Sequence, residues 1–348
     1  MRNNRRKGKI FGARLMKTGV AVFLTATTCS VLGLPVVFAV IIAIVTIEPT
    51  ASDSIRKGMV RFPAALIGAG LAMAFTYWFG QVPLTYTLAT LLTIFICIRC
   101  KLEAGALIAT ITAVAMISVT YDHYFLTFVE RVGTTTIGLV ISTLVNLFLL
   151  PARFSETIKK RNFQLFLDTG TLFKKRSNEI ILERKSISKQ CQKEYQRITG
   201  ELAKTFQLCH YQREEWKYHR HSTAELRAFM FEKKRLEQLQ QIHYYLGHII
   251  SVHSNNESYH NLELLLESID STEEGLKAAG SKISNKHLQN INELDKRFWE
   301  THNGQQPLEK KYHHHFTSET VLLFVILSIH DVLEELERVS RHQIHKAS

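Results

Sequence analysis

A chain of 348 residues, 46% hydrophobic and 21% charged, with a mean hydropathy near zero and a net charge of +12, has the averages of a soluble basic protein. Those averages conceal two unlike halves: the first 150 residues carry 13 Lys/Arg and 5 Asp/Glu, whereas the remaining 198 carry 30 and 26. Apolar runs of spanning length in the first half exclude a secreted disulfide scaffold, a single globular enzyme and a disordered chain. Its excess positive charge lies between those runs, where it reads as a topology signal and not as a nucleic-acid contact. The five cysteines (Cys29, Cys97, Cys100, Cys191 and Cys209) have no even, clustered spacing that would suggest a disulfide framework, and Cys97-Ile98-Arg99-Cys100 is read as a pair at a membrane edge.

Residues Leu15 to Ile47 form an almost uncharged run of 33. As one helix it would measure about 50 Å against a hydrocarbon core of about 30 Å, so it is read as two spans. Gly33-Leu34-Pro35 is the natural break, giving spans at 14–32 and 35–49, the second short and open to tilting or breaking. Four more follow at 60–79, 83–99, 103–121 and 126–150, for a six-helix transmembrane domain over residues 1–152. Lys and Arg alternate with the loops. They occur at the N-terminus (Arg2, Arg5, Arg6, Lys7, Lys9), at Arg56 and Lys57, at Arg99 and Lys101, and after the last span at Arg153, Lys159, Lys160 and Arg161. The intervening turns hold none, which predicts both termini in the cytoplasm of a multi-pass plasma-membrane protein. A signal peptide fits poorly, because the apolar stretch is too long and lacks a small-residue cleavage site.

A shift of 70 residues places Arg61 and Gly68 on Arg131 and Gly138, Ile67 on Ile137, Ile47 on Ile117, Ala39 on Ala109 and Thr50 on Thr120. Three spans per copy would set the second copy upside down, a 3+3 inverted repeat of the transporter kind, whose sites lie between the halves.

Polar side chains inside the spans mark candidate pathway positions, since a charge at mid-membrane costs about 2.5–3.5 kcal/mol on insertion scales. The candidates are Arg14 and Lys17 on the first span, Glu48 and Thr50 closing the second, Arg61 opening the third, and Arg131 and Asn146 on the sixth. Two readings stand side by side. Arg14, Lys17, Arg56 and Arg61 either snorkel to the inner leaflet or recruit an anion, and Arg131 either pairs with Glu130 at the outer surface or belongs to the same anion path. Gly68, Gly70 and Gly138 are read as helix-packing positions, along with the small residues around Ala104 and Ala109.

These residues resemble the bacterial aromatic acid exporter family within the fusaric acid resistance superfamily, related to plant aluminium-activated malate channels. The resemblance rests on Gly12-Ala13-Arg14-Leu15-Met16-Lys17-Thr18, on Glu48-Pro49-Thr50 with Ser52, Ser54 and Gly58, on Arg61 with Gly68 and Gly70, and on Arg131 with Gly138 and Asn146. Glu48 stands where the family has Gln. The resemblance implies a six-helix membrane domain that dimerises and exports organic, including aromatic, carboxylates, and the second half looks like the companion C-terminal domain of one branch of that family.

From 153 to 348 the pattern is helical throughout and predicts a cytoplasmic helical bundle, with helices near 154–178, 188–217, 222–253, 257–278, 284–302 and 316–342. Ile187, Cys191, Tyr195, Ile198, Leu202, Phe206 and Cys209 recur every three to four residues as one apolar stripe. Ser222 and Glu225 form a capping box, and the apolar run Val321 to Ile329 is too short to span and reads as a buried helix. Fifteen of the 16 histidines lie in this half, including His243, His248, His253 and the run His313-His314-His315. Steps of five rotate about 140° round a helix, so His243, His248 and His253 do not converge as metal ligands. With no phosphate loop, nucleophile elbow or kinase signature, the sequence predicts no enzyme, metal or cofactor. The expected partners are the lipid bilayer, an organic anion and a second copy of the chain, with no nucleic acid. An anion channel of the same architecture and a non-transporting anchor that presents the bundle to a partner are the alternatives.

Overall fold

The structure is a computed structural model that describes residues 4–118, 124–149, 153–183, 187–252, 259, 261–279, 283–303 and 317–345. Among these are twelve helices and no strand. The chain divides into two compact units, Met1–Arg153 together with Tyr211–Arg220, and Phe154–His210 together with His221–Ser348.

The first unit contains α1 (Asn4–Val31), α2 (Val36–Thr46), α3 (Ala51–Phe79), α4 (Pro83–Arg99), α5 (Glu103–Ile117) and α6 (Tyr124–Phe148). The break between α1 and α2 falls at Gly33, whose positive φ of 67° suits a residue without Cβ, and Pro35 then opens α2. Two boundaries differ from the expected spans. The second ends at Thr46 and not at residue 49, because Ile47 is extended (φ −74°, ψ 108°) and Pro49 biases Glu48 the same way. The third begins at Ala51 and not at residue 60: Thr50 caps the helix by accepting from the Asp53 N–H, so Arg56 and Lys57 lie on α3 and not in a loop. The ends of the spans expected at 103–121 and 126–150 run into residues outside the described set. Two helical stretches, α3 and Phe125–Phe148, are long and apolar enough to cross a membrane by themselves, while α2, α4 and α5 are apolar but only 11, 17 and 15 residues long.

Two close helix crossings organise this unit. A Cβ at Gly68 of α3 would lie 2.2 Å from the Ala109 carbonyl oxygen of α5, and one at Gly138 of α6 would lie 2.6 Å from the Ala39 carbonyl oxygen of α2. A shift of 70 carries Ala39 to Ala109 and Gly68 to Gly138, so the two crossings are the same contact with the partners exchanged. The same shift relates the wall of a small apolar recess between α2 and α5, where Phe38, Ile41 and Ile42 face Ile108, Ile111 and Thr112. Gly70, by contrast, has nothing among the described residues within 4 Å of where its Cβ would lie.

The second unit holds α7 (Ser155–Ile181), most of α8 (Lys189–Glu215), α9 (Thr223–Ser251), α10 (Leu262–Lys277), α11 (Asn285–Asn303) and α12 (Ser318–His345). The apolar stripe of α8 is buried at Cys191, Ile198, Leu202 and Cys209, the Ser222–Glu225 capping box opens α9, and Leu322, Val325, Ile326 and Ile329 of α12 are buried. Arg176 is fully buried and was not picked out from the sequence. Its guanidinium donates to the Ile249 and Val252 carbonyls (3.2 and 2.6 Å), placing a cation on the C-terminal end of α9, and it pairs with Glu179 at 3.3 Å.

Three histidines lie in the core of this unit. His243 stacks on Tyr195 with ring centroids 4.2 Å apart, and His287 bridges Ser271 (2.9 Å) and His330 (3.1 Å). Among the described residues no group of His, Cys, Asp and Glu could hold a metal, and His253 and His313 to His315 lie outside them. Burial pushes His243 down to about 4, and burial with the neighbouring His330 does the same for His287. Burial also lowers His330, against the pull of Glu334 and Asp331.

Two predictions follow from the packing. Gly68→Ala and Gly138→Ala each force a helix crossing apart and destabilise the chain by about 1–3 kcal/mol, while Gly70→Ala is neutral, as read by thermal unfolding in detergent. For the histidines, the unfolded chain binds protons below about pH 6.5 but the folded chain only near pH 4. Their stabilisation is therefore complete above 6.5 and lost as pH falls through 4. The midpoint of thermal unfolding should drop by several degrees between pH 7.5 and 5, and His243→Phe, which keeps the stack on Tyr195, should lessen that drop.

Candidate functional site

The polar residues of the first unit gather in two places. The first surrounds the N-terminus of α3. Asn146 of α6 is fully buried, and its Nδ2 donates to the Glu48 carbonyl (3.0 Å), the Thr50 carbonyl (3.0 Å) and Ser54 Oγ (2.7 Å). Its Oδ1 then faces the other way and accepts from Lys17 Nζ at 2.8 Å, with the Asn146 carbonyl a further acceptor at 3.4 Å. This orientation of the amide is the one that gives every donor an acceptor. Asn146 thus ties α1, the extended link and α3 to α6, and it fixes the ammonium of Lys17, which is only 5% exposed.

Glu48 lies in the same link. Arg61 Nη2 donates to its Oε1 at 2.6 Å and Lys57 Nζ to its Oε2 at 2.8 Å, so one carboxylate answers two cations one turn apart on α3. The Glu48 carboxylate is thereby balanced within the chain. Arg61 is 8% exposed. Its Nε donates to the Ala104 carbonyl at 3.4 Å, and its Nη1 is buried with no partner among the described residues. Arg14 is exposed and, among the described residues, its side chain reaches only the Ile47 carbonyl at 3.5 Å, at the edge of this network and outside the contacts of Asn146 and Glu48.

The second place is Arg131, which is 6% exposed within the second turn of α6. Its guanidinium carbon lies 3.4 Å from the centroid of the Phe38 ring, and Nη2 donates to the Ala115 carbonyl at 3.3 Å. It therefore rests on α2 and α5 instead of pairing with Glu130. Arg61 and Arg131 both donate to carbonyls of α5, one at Ala104 and the other at Ala115, and 11 residues at 1.5 Å each set those carbonyls about 16 Å apart along the helix. The apolar recess at Ile108, Ile111 and Thr112 lies between them.

A third set of residues was not singled out from the sequence. The segment Tyr211–Arg220 belongs to the first unit, where Glu215 Oε2 accepts from the Ala51 N–H at 3.0 Å and Glu214 Oε2 from Ser52 Oγ at 2.7 Å. His219 Nε2 donates to the Leu147 carbonyl at 2.8 Å. These contacts join positions 72 to 164 residues apart, and no local pattern announces them.

Apolar helices packed around buried cations, two of them long enough to cross a membrane, are the features of a membrane protein. Residues 9–149 match the family described as aromatic acid exporter family member 1. The chain is similar over nearly its whole length to proteins named UPF0421. It is 44% identical over 340 residues to one from Bacillus cereus, covering 97% of this chain and 96% of that protein. It is 34% identical over 328 residues to one from Halalkalibacterium halodurans (94% and 89% covered), and 38% identical over 252 residues to one from Staphylococcus haemolyticus (72% and 74%). The chain belongs to the family of these UPF0421 proteins, and its residues 9–149 carry the match to the aromatic acid exporter family.

The Asn146 network carries its own test. Asn146→Asp keeps an acceptor for Lys17 but turns a carboxylate oxygen toward two carbonyls. It should therefore destabilise the chain by about 1–3 kcal/mol in detergent melts despite the added opposite charge, and Asn146→Ala should do at least as much.

Proposed function

We propose that the chain is a six-span carrier that exports organic carboxylate anions, aromatic acids among them, across the bacterial plasma membrane. On this reading α1 to α6 are the spans, both termini are cytoplasmic, and residues 153–348 form a cytoplasmic helical domain. The shorter helices α2, α4 and α5 complete the bilayer crossing alongside α3 and α6, and discontinuous helices of this kind surround the sites of inverted-repeat carriers. The reciprocal crossings Gly68 on Ala109 and Gly138 on Ala39 support that duplication.

The observation that carries the reading is the series formed by Lys17 and Arg61, the apolar recess, and Arg131. Neither Lys17 nor Arg131 is neutralised by a directly paired carboxylate among the described residues, so each retains attraction for an anion. The recess has room for about one water molecule, so α2 and α5 must part there to admit the hydrocarbon or ring of the substrate, while Arg131, and Arg61 once it exchanges Glu48 for the substrate, take the carboxylate at either end. Phe38 contributes to both, since its ring lines the recess and supports Arg131. The chain works as a homo-oligomer, a dimer by family resemblance, and the open space beside Gly70 leaves room for a second copy to approach.

Efflux of labelled benzoate, 4-hydroxybenzoate and aliphatic acids from proteoliposomes tests this. Arg61→Gln and Arg131→Gln should each lower flux at least tenfold with folding retained. Unchanged flux in both would remove the arginines from the path.

A further inference from the structure

The shift of 70 residues that exchanges the two helix crossings also carries Arg61 to Arg131 and Glu48 to Ser118. The two pairs occupy corresponding places. Glu48 lies beside Arg61, its Oε1 accepting from Nη2 at 2.6 Å. Ser118, which follows the last residue of α5, meets Arg131 on one shared acceptor: the Ala115 carbonyl takes Ser118 Oγ at 3.0 Å and Arg131 Nη2 at 3.3 Å. The chain thus sets a carboxylate beside one arginine and a hydroxyl beside the other. Lys57 likewise corresponds to Thr127, so these three positions leave one net positive charge at either end, and the difference lies in direct contact. Arg61 has Nη2 committed to Glu48, and its Nη1 is buried with no acceptor among the described residues. Of the five N–H donors of Arg131, one meets an acceptor among the described residues, and that acceptor is a neutral carbonyl. A guanidinium and a hydroxyl side by side match the two oxygens of a carboxylate, and the Phe38 ring, 3.4 Å from the guanidinium carbon, supplies an apolar flank.

We propose that Arg131 and Ser118, beside the Phe38 ring, form the high-affinity site for an organic monocarboxylate, and that Glu48 is an internal counter-ion that makes the corresponding place at Arg61 a low-affinity one. The inference rests on the proposed transport of such anions and assigns unequal affinities to the two ends of the path. At Arg131 the ligand takes the remaining N–H donors and the Ser118 hydroxyl, which turns away from the Ala115 carbonyl by rotation about one bond and leaves that carbonyl bonded to Arg131. At Arg61 the same ligand first breaks the ion pair with Glu48, although Lys57, 2.8 Å from Glu48 Oε2, still holds the released carboxylate. Loss of one charge-assisted hydrogen bond lowers affinity about ten- to a hundredfold, which sets the size of the difference.

Equilibrium binding of labelled benzoate to the detergent-solubilised full chain tests the assignment. Ser118→Glu gives Arg131 the counter-ion that Arg61 already has and should weaken benzoate binding at least tenfold, whereas Ser118→Gln, of like size without charge, should weaken it only about threefold. The double variant Glu48→Ser with Lys57→Thr gives the Arg61 end the residues of the Arg131 end at unchanged net charge. It should bind a second benzoate with an affinity within about threefold of the first. No saturable binding to the parent chain, equal losses in the two Ser118 variants, or a folded double variant without a second site overturns the proposal. The Ser118 variants decide it alone if the double variant does not fold, because Ser118 is exposed and lies beyond the last residue of α5. Efflux separates the two readings. Flux in the parent that Ser118→Glu leaves unchanged rejects the site and leaves transport intact, whereas binding that follows these exchanges with no flux in any form supports the site and rejects transport.

Discussion

A buried ammonium among apolar helices requires an oriented acceptor, and the arrangement of the first unit follows from how Asn146 meets that need for Lys17. An amide can face a cation with one end only by turning its two N–H donors the other way, and the groups that receive them are the carbonyls of Glu48 and Thr50 and the hydroxyl of Ser54. Those acceptors exist because the chain is extended between α2 and α3, where carbonyls have no helical partner. The break after Thr46 is therefore a requirement of the polar network. It also presents Glu48 to Lys57 and Arg61 and leaves the first N–H groups of α3 available to an anion.

Away from that network the unit is held by contact of backbones. Leu and Ile side chains are as soluble in lipid as in one another, so close approach through glycine and alanine supplies the packing energy between membrane helices. The two crossings at Gly68 and Gly138 set α3 against α5 and α6 against α2, and in doing so bring Arg61 and Arg131 to opposite ends of α5. One repeated contact thus accounts for both the helix arrangement and the separation of the two arginines. The second unit solves a different problem. Its helices are amphipathic, and its largest buried polar groups are held by specific partners: Arg176 on the end of α9, the Asn162 amide nitrogen on Glu232, and His287 between Ser271 and His330.

Much of the architecture was legible in the chain itself. The division into an apolar and a charged half, the helix break at Gly33, the capping box at Ser222 and the apolar stripe of α8 are all local patterns, and each is visible in a window of a few turns. The 70-residue shift was readable as well, though only as an alignment of letters. The boundaries that differed did so where polar residues decide conformation. Arg56 and Lys57 look like loop residues on charge alone, but Thr50 caps a helix that already contains them. Of the candidate polar positions, Lys17, Glu48, Thr50, Arg61 and Asn146 come together in one network, Arg131 lies at the other end of α5, and Arg14 stays outside both.

The amino-acid sequence by itself determined the class of structure and the identity of the charged residues, because hydrophobic periodicity, capping and loop charge act over short stretches of chain. Tertiary structure alone decided which acceptor each cation received, that Arg131 lies over the Phe38 ring, and that Glu215 reaches the start of α3. These depend on which helices cross and on the few side chains that face one another where they do. Such pairings join residues as far apart as 17 and 146 or 51 and 215, and a buried charge selects its partner by distance in space, to which separation along the chain gives no guide.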